Sequence, residues 1–247
     1  MTVLLQFNLT SDFVASTTAS GITTGAVTDQ SGSLTSFTRG GAGYSSDSVS
    51  SAGPASGAVD AASAVTTNSY FFTTINPLSG KQISLTTLTI NMARGGTAAP
   101  RGYAVRSSAD SFAANLQTAN FTAQRPTFEA ISVDLSGASF QNVAGPISFR
   151  IYVYAPSTVN VIDWDDLTIN GTVADSGTVE QEGFRFRSDD GSESAATWFA
   201  AQDTNIVQEK NINMRLRVLL NSTLDRGSEQ YRLEFREVGG TTWIPLA

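Results

Sequence analysis

A chain of 247 residues, 40% hydrophobic and only 15% charged, can bury one large core or two ordinary ones, and its richness in Ser, Thr, Ala and Gly belongs to a β protein with polar outer faces rather than to a helical enzyme. A net charge of −7 provides no electrostatic footprint for nucleic acid. The absence of cysteine and histidine excludes disulfides, thiolate nucleophiles, every Ser-His or Cys-His pair and the usual zinc ligands, leaving carboxylates, tyrosine or the two lysines, Lys81 and Lys210, for any chemistry.

The chain opens on Val3, Leu5, Phe7 and Leu9, an alternation that predicts a strand. This start has no basic leader, apolar core or small-residue cleavage site, and no run approaches the roughly 18 apolar residues of a membrane span. The expectation is a protein with no signal peptide and no transmembrane segment, made in a cytoplasm. Residues 15–68 are nearly all Ser, Thr, Ala and Gly, with thin apolar markers at Ile22, Val27, Leu34, Phe37, Tyr44 and Val59. Their low charge argues against disorder, so they read as short strands and long loops, with a strand at Ser33–Thr38.

Plainer strands follow at Tyr70–Ile75, Ile83–Met92 and Gly102–Ser108. The second changes apolar parity between Leu85 and Leu88, which predicts a β-bulge. Ile131, Val133 and Leu135 alternate with polar residues, as do Ile147, Phe149, Ile151 and Val153, each set marking one buried face. A closing strand, Val161–Val173, has Ile162 and Trp164 in one parity and Leu167 and Ile169 in the other, so a second bulge is expected at Asp165-Asp166. These strands number about eight over residues 1–173, the count of a two-sheet jelly roll.

Residues 174–178 form a short polar linker, beyond which charge density rises: eight of the 15 basic and 12 of the 22 acidic residues lie in 174–247. Phe184 and Phe186 alternate with Arg185 and Arg187; Met214, Leu216, Val218 and Leu220 with Arg215 and Arg217; Tyr231, Leu233 and Phe235 with Arg232, Glu234 and Arg236. With a short strand at Thr241–Ile244, residues 179–247 read as a small immunoglobulin-like sandwich. The fold class is therefore all-β, an N-terminal jelly-roll β-sandwich followed by a small immunoglobulin-like β-sandwich.

Several constellations could carry function. Asp163, Asp165 and Asp166 at the closing-strand kink suit a calcium ion, which wants converging oxygens, or a strand edge kept acidic against unwanted pairing, the second being preferred. With Glu180 they also supply the carboxylate pairs that glycoside hydrolysis requires, but no histidine or other fixed partner supports catalysis and no enzyme is expected. Arg150, Tyr152 and Tyr154 lie on the strand face opposite the core set, an aromatic and guanidinium platform that suits a sugar ring or a neighbouring subunit. Asp189-Asp190-Gly191-Ser192-Glu193 reads as a hairpin turn rather than a calcium loop. The Arg rows at 185/187, 215/217 and 232/236 are interleaved with Glu180, Glu182, Glu234 and Glu237, which predicts cross-strand ion pairs rather than a phosphate stripe. The sequons at Asn8, Asn120, Asn170 and Asn221 have no role without export, and Gly40-Gly41-Ala42-Gly43 lacks the Lys-Ser/Thr of a phosphate loop.

Two partial resemblances follow. Arg106-Ser107-Ser108-Ala109-Asp110-Ser111-Phe112, Val133-Asp134-Leu135-Ser136-Gly137, Gly145-Pro146-Ile147-Ser148-Phe149-Arg150-Ile151-Tyr152 and Leu167-Thr168-Ile169-Asn170-Gly171-Thr172-Val173 resemble the jelly-roll modules of bacterial secreted and surface-anchored proteins, themselves similar in fold to carbohydrate-binding domains. Trp164-Asp165-Asp166 parallels the Ile-Asp-Asn run of their closing strand. Glu180-Gln181-Glu182-Gly183-Phe184-Arg185-Phe186-Arg187, Ala196-Thr197-Trp198 and Gln230-Tyr231-Arg232-Leu233-Glu234-Phe235-Arg236 resemble a small β module of tailed-bacteriophage structural proteins. The second resemblance implies a non-enzymatic virion component assembled in the host cytoplasm, first a capsid cement or decoration protein and next a tail or fibre component. Its partners would be the major capsid protein or other virion proteins and further copies of itself, with no cofactor unless calcium. The alternative is a carbohydrate-binding module for surface glycan.

Overall fold

The computed structural model describes residues 2–9, 12–29, 33–39, 50–177, 179–190, 195, 197–223 and 232–245. The Gly40–Gly43 run, Tyr44, Gly191, Ser192, Glu193 and Tyr231 lie outside them. The chain divides into two compact units, Met1–Ser176 and Gly177–Ala247.

The first unit is a β-sandwich. In chain order its elements are β1 (Val3–Phe7), β2 (Thr17–Thr18), β3 (Ile22–Thr24), β4 (Thr28–Asp29), β5 (Ser36–Arg39), β6 (Ser50–Gly53), helix α1 (Ala61–Thr66), β7 (Tyr70–Pro77), β8 (Lys81–Arg94), β9 (Gly102–Ser107), β10 (Gln117–Asn120), β11 (Glu129–Asp134), β12 (Ile147–Tyr154) and β13 (Ile162–Asp175). One antiparallel sheet runs β11-β8-β13-β1-β2, with β6 also pairing β13 and β5 pairing β6; the other runs β10-β9-β12-β7-β3, with β4 on β7. From β7 onward, apart from the β9-β10 hairpin within the second sheet, the chain passes back and forth between the two sheets, as a jelly roll does.

Alternation decides which side chains fill the space between the sheets. Ile147, Phe149, Ile151 and Val153 from β12 meet Leu88, Ile90, Met92, Leu167 and Ile169 from β8 and β13, all of them buried. Both expected bulges are present. On β8, Thr86 is the extra residue where the pairing steps from Asn170↔Thr87 to Gly171↔Leu85, and the buried set accordingly changes from Ile83 and Leu85 to Leu88 and Ile90. On β13, Asp166 and Leu167 oppose Ile90 alone, between the pairs Asp165↔Asn91 and Thr168↔Thr89, and Asp166 takes a φ of 50°. The two kinks let 14-residue strands stay paired while each keeps its apolar side inward.

Trp164 is the largest fully buried side chain. Its indole stacks on Phe71 at 4.7 Å and 15° and lies 6.0 Å from Phe37 and 6.2 Å from Phe13. An aromatic quartet drawn from the loop before β2 and from β5, β7 and β13 thus joins the core, with Phe13 and Phe37 packed against it. Gly171 is required at its place, because a Cβ there would lie 2.3 Å from the Ser84 carbonyl oxygen.

Among the described residues the second unit contains β14 (Val179–Ser188) paired with β15 (Met214–Ser222), and β16 (Glu234–Phe235) paired with β17 (Ile244–Pro245). The strand expected over 231–236 is short, and no third strand joins β14 and β15 among the described residues.

Candidate functional sites

The closing-strand carboxylates do not converge. Asp163 and Asp165 share the outer side of β13, but Asp163 is completely buried. Its Oδ1 accepts a 2.5 Å hydrogen bond from Ser51 Oγ on β6, and its Oδ2 lies 3.4 Å from the Arg125 guanidinium. Burial raises the Asp163 carboxyl above its ordinary range, against the pull of Ser51, Arg125 and Arg101. Arg101 is also buried, donating from Nε to Ala98 O at 2.8 Å and from Nη1 to Val161 O at 2.5 Å. Asp165, half-buried, is pushed up to about 6 by burial and by the neighbouring Asp166 charge, while its Oδ1 accepts the Asp166 amide at 2.8 Å.

Among the described residues no three acidic side chains are placed to hold one metal ion. The calcium site offered as the alternative for Asp163, Asp165 and Asp166 is therefore not formed among the described residues: Asp163 is turned to Ser51 and Arg125, while Asp165 and Asp166 stay close enough for their charges to interact. The edge reading is also overturned: β13 is flanked on one side by β8 and on the other by β6 and β1, so it is an interior strand. What Asp163 does is tie β13, β6 and the loop at Arg125 together. Sequence reasoning missed Ser51, Arg101 and Arg125, whose contacts with this strand are long-range and leave no local pattern.

On the outer face of the second sheet, Tyr152 and Tyr154 are not an open platform. Both are buried, with Tyr70 and Ala104, beneath α1, whose Ala64 is completely buried against them. The helix is set by a reciprocal cap: the Ser63 amide donates to Asp60 Oδ1 at 2.7 Å and the Asp60 amide to Ser63 Oγ at 2.9 Å. The Tyr154 hydroxyl donates to Asn120 Oδ1 at 2.9 Å, and its ring lies over Gly102, where a Cβ would come within 2.3 Å of the phenol oxygen. Burial holds the Tyr70 and Tyr154 hydroxyls above their usual range.

Arg150 lies apart from that cover. Its guanidinium is 3.7 Å from the Phe112 ring centroid and 4.5 Å from that of Tyr70, and it lines a cleft of about 220 Å3 with Tyr70, Phe72, Ser108, Phe112 and Ser148. Of the three residues expected to act together, the structure keeps only Arg150 at an accessible site.

In the second unit the Arg rows face each other rather than glutamates: Arg185 pairs across the ribbon with Arg217, and Arg187 with Arg215. Trp198 lies between the first two, with guanidinium carbons 4.3 and 5.7 Å from its ring centroid. Aromatic contact relieves a repulsion that cross-strand glutamates had been expected to relieve. Arg215 also pairs with Asp189 at 2.5 Å, and Arg232, just before β16, with Glu234. Asp190 accepts from Ser188 Oγ at 2.7 Å and from the Thr197 amide at 3.2 Å, hydrogen bonds that hold its carboxyl below the usual range. The opposite side of the ribbon, Phe184, Phe186, Met214, Leu216, Val218 and Leu220, is the expected apolar face, and much of it is uncovered: Met214, Leu216 and Leu220 are 44%, 39% and 48% exposed.

No protein family and no curated protein matches the chain. Among solved structures, the K3 cleaved adhesin domain of Lys-gingipain from Porphyromonas gingivalis aligns over 52% of this chain and 76% of that domain, at 20% identity and a TM-score of 0.33. No helix among the described residues is long and apolar enough to cross a membrane.

Proposed function

We propose that this protein is a non-enzymatic structural subunit of a phage particle, a capsid cement or decoration protein that works by packing against neighbouring virion proteins and further copies of itself. The observation that carries the reading is the uncovered apolar face of β14 and β15. A two-stranded ribbon is marginal alone in water, and an exposed apolar face of this kind marks an interaction surface. The sequence resemblance of the same segment to phage structural modules supports the particle as its setting. In such a role the output is contact area, multiplied by the symmetry of a shell. Labelled protein titrated onto emptied shells of the particle it is produced with is expected to bind saturably and to raise their disruption temperature. Absence of binding, or a copy number of only a few to a few tens per particle, removes the cement assignment.

A further inference from the structure

Arg150 and Arg106 stand directly opposite each other on neighbouring strands, on the side of the sheet that faces away from the core. Like charges in this position repel, and the protein as a whole carries −7, so carboxylates to neutralise them are abundant in the chain. None of the described carboxylates is in ion-pair range of either guanidinium. Arg106 spends its donors on the turn beyond β9, from Nε to Asn115 Oδ1 at 2.6 Å and from Nη1 to Phe112 O at 2.8 Å. Among the described residues Arg150 has a single polar contact, a long one of 3.5 Å to the Tyr152 hydroxyl.

The turn that Arg106 holds is strained. Ser111 and Phe112 both have positive φ, 59° and 62°, a conformation that a bulky aromatic residue rarely adopts. Strain of this kind persists where the surrounding structure enforces it, and it clusters at ligand sites. Its effect here is to lay the Phe112 ring over one side of the Arg150 guanidinium, with Tyr70 also in cation-π range. Aromatic contact fixes the orientation of the guanidinium and leaves its in-plane N–H groups for another partner. Beside it in the cleft, Ser108 Oγ accepts the Ser148 amide at 2.9 Å and keeps its own proton to donate, while Ser148 Oγ shares a 2.7 Å hydrogen bond with Thr74. Phe72 supplies an apolar wall.

We infer that this cleft is a binding site for a carboxylated sugar of the hexuronate type, with Arg150 taking the carboxylate, Ser108 and Ser148 the ring hydroxyls, and Phe72 the apolar side of the ring. A guanidinium fork matches a carboxylate in two parallel hydrogen bonds. The cleft volume of about 220 Å3 is below the roughly 300–1,000 Å3 of ordinary ligand pockets, so it takes one sugar unit or chain end. Arg106 is a positioning residue, acting through the Phe112 turn. This site is on the first unit and does not depend on the assembly role proposed for the second.

The test is isothermal titration of the full chain with galacturonate and glucuronate and their short oligomers, against galactose, glucose, acetate and inorganic phosphate. Saturable binding of at least one uronate, at least tenfold tighter than its neutral sugar, is expected. Arg150→Gln is expected to weaken it at least tenfold. Ser148→Leu, which fills the cleft with Arg150 intact, is expected to do the same, with thermal melting confirming that each variant is folded. No uronate binding, equal binding of uronate and neutral sugar, binding of phosphate or acetate as tight as uronate, or binding unchanged in both folded variants overturns the assignment.

Discussion

The two units treat the same kind of strand in opposite ways. In the first, every alternating apolar set finds a facing sheet, so that Trp164, Leu167, Ile169, Phe149 and Ile151 are essentially inaccessible. In the second, Met214, Leu216 and Leu220 alternate just as regularly with Arg215, Arg217 and Leu219, yet remain exposed. Periodicity fixes which side of a strand is apolar but does not supply what covers it. Where cover is built into the chain, a substitution is felt in folding; where it must come from elsewhere, it is felt in association.

The largest effect should come from Trp164→Ala, which removes the centre of the aromatic quartet and is expected to cost about 3–5 kcal/mol in denaturant unfolding of the first unit. Next, Asp163→Ala removes the buried carboxylate that Ser51 and Arg125 face and is expected to cost about 3 kcal/mol by the same measurement. A cost near zero for either would show that the first unit is looser than its burial implies.

A pH titration separates the units further. The Asp165 carboxyl is raised to about 6 in the folded chain, so the folded state holds its proton more tightly than the unfolded one. The stability this contributes is fully present below about pH 4 and is lost as pH rises through 6, by an amount on the order of 1–2 kcal/mol once partial solvent screening is allowed for. Asp165→Asn is expected to flatten that step and to leave the protein more stable at neutral pH. A step of unchanged size in the variant would assign the titration to another group.

The smallest folding effect is expected for Leu216→Ser and Leu220→Ser, within about 0.5 kcal/mol in the isolated chain. Binding to shells should fall by at least tenfold in the same variants. If they instead unfold the second unit, their side chains belong to an internal core, and the contrast between the units fails.

Much of the first unit was legible because its evidence is local. The parity changes at Leu85/Leu88 and Trp164/Leu167 located both bulges, and the alternations of β11 and β12 gave their buried faces. Helix α1 was not legible as a period, since six residues make under two turns; its signal was the Asp60 and Ser63 capping pair before an alanine-rich run. Missing the helix had a consequence, because α1 is what covers Tyr152 and Tyr154. Sequence placed them correctly opposite the core but could not show a second layer packed on that side. Likewise three neighbouring aspartates suggested one site, whereas the decisive partners of Asp163 are Ser51 and Arg125, separated from it by many residues. In the second unit Arg185 and Arg187 were read against nearby glutamates, but strand register set them opposite other arginines with Trp198 between.

The antiparallel pairing of β1 with β13 has a mechanical consequence. Val3 lies beside Asn170, so the chain enters the sandwich at the same end from which β13 runs on to Asp175. Tension applied between these two points pulls the neighbouring strands apart sideways, and the hydrogen bonds from Val3↔Asn170 to Phe7↔Leu167 are loaded one after another, as in a zipper. The contacts of β13 with β6 lie outside that ladder, whereas its Gly171–Asp175 stretch, paired with β8, takes load from its own end. Because Leu4, Leu5 and Phe7 are fully buried, peeling β1 also opens the core, so side-chain burial resists the load together with the hydrogen bonds.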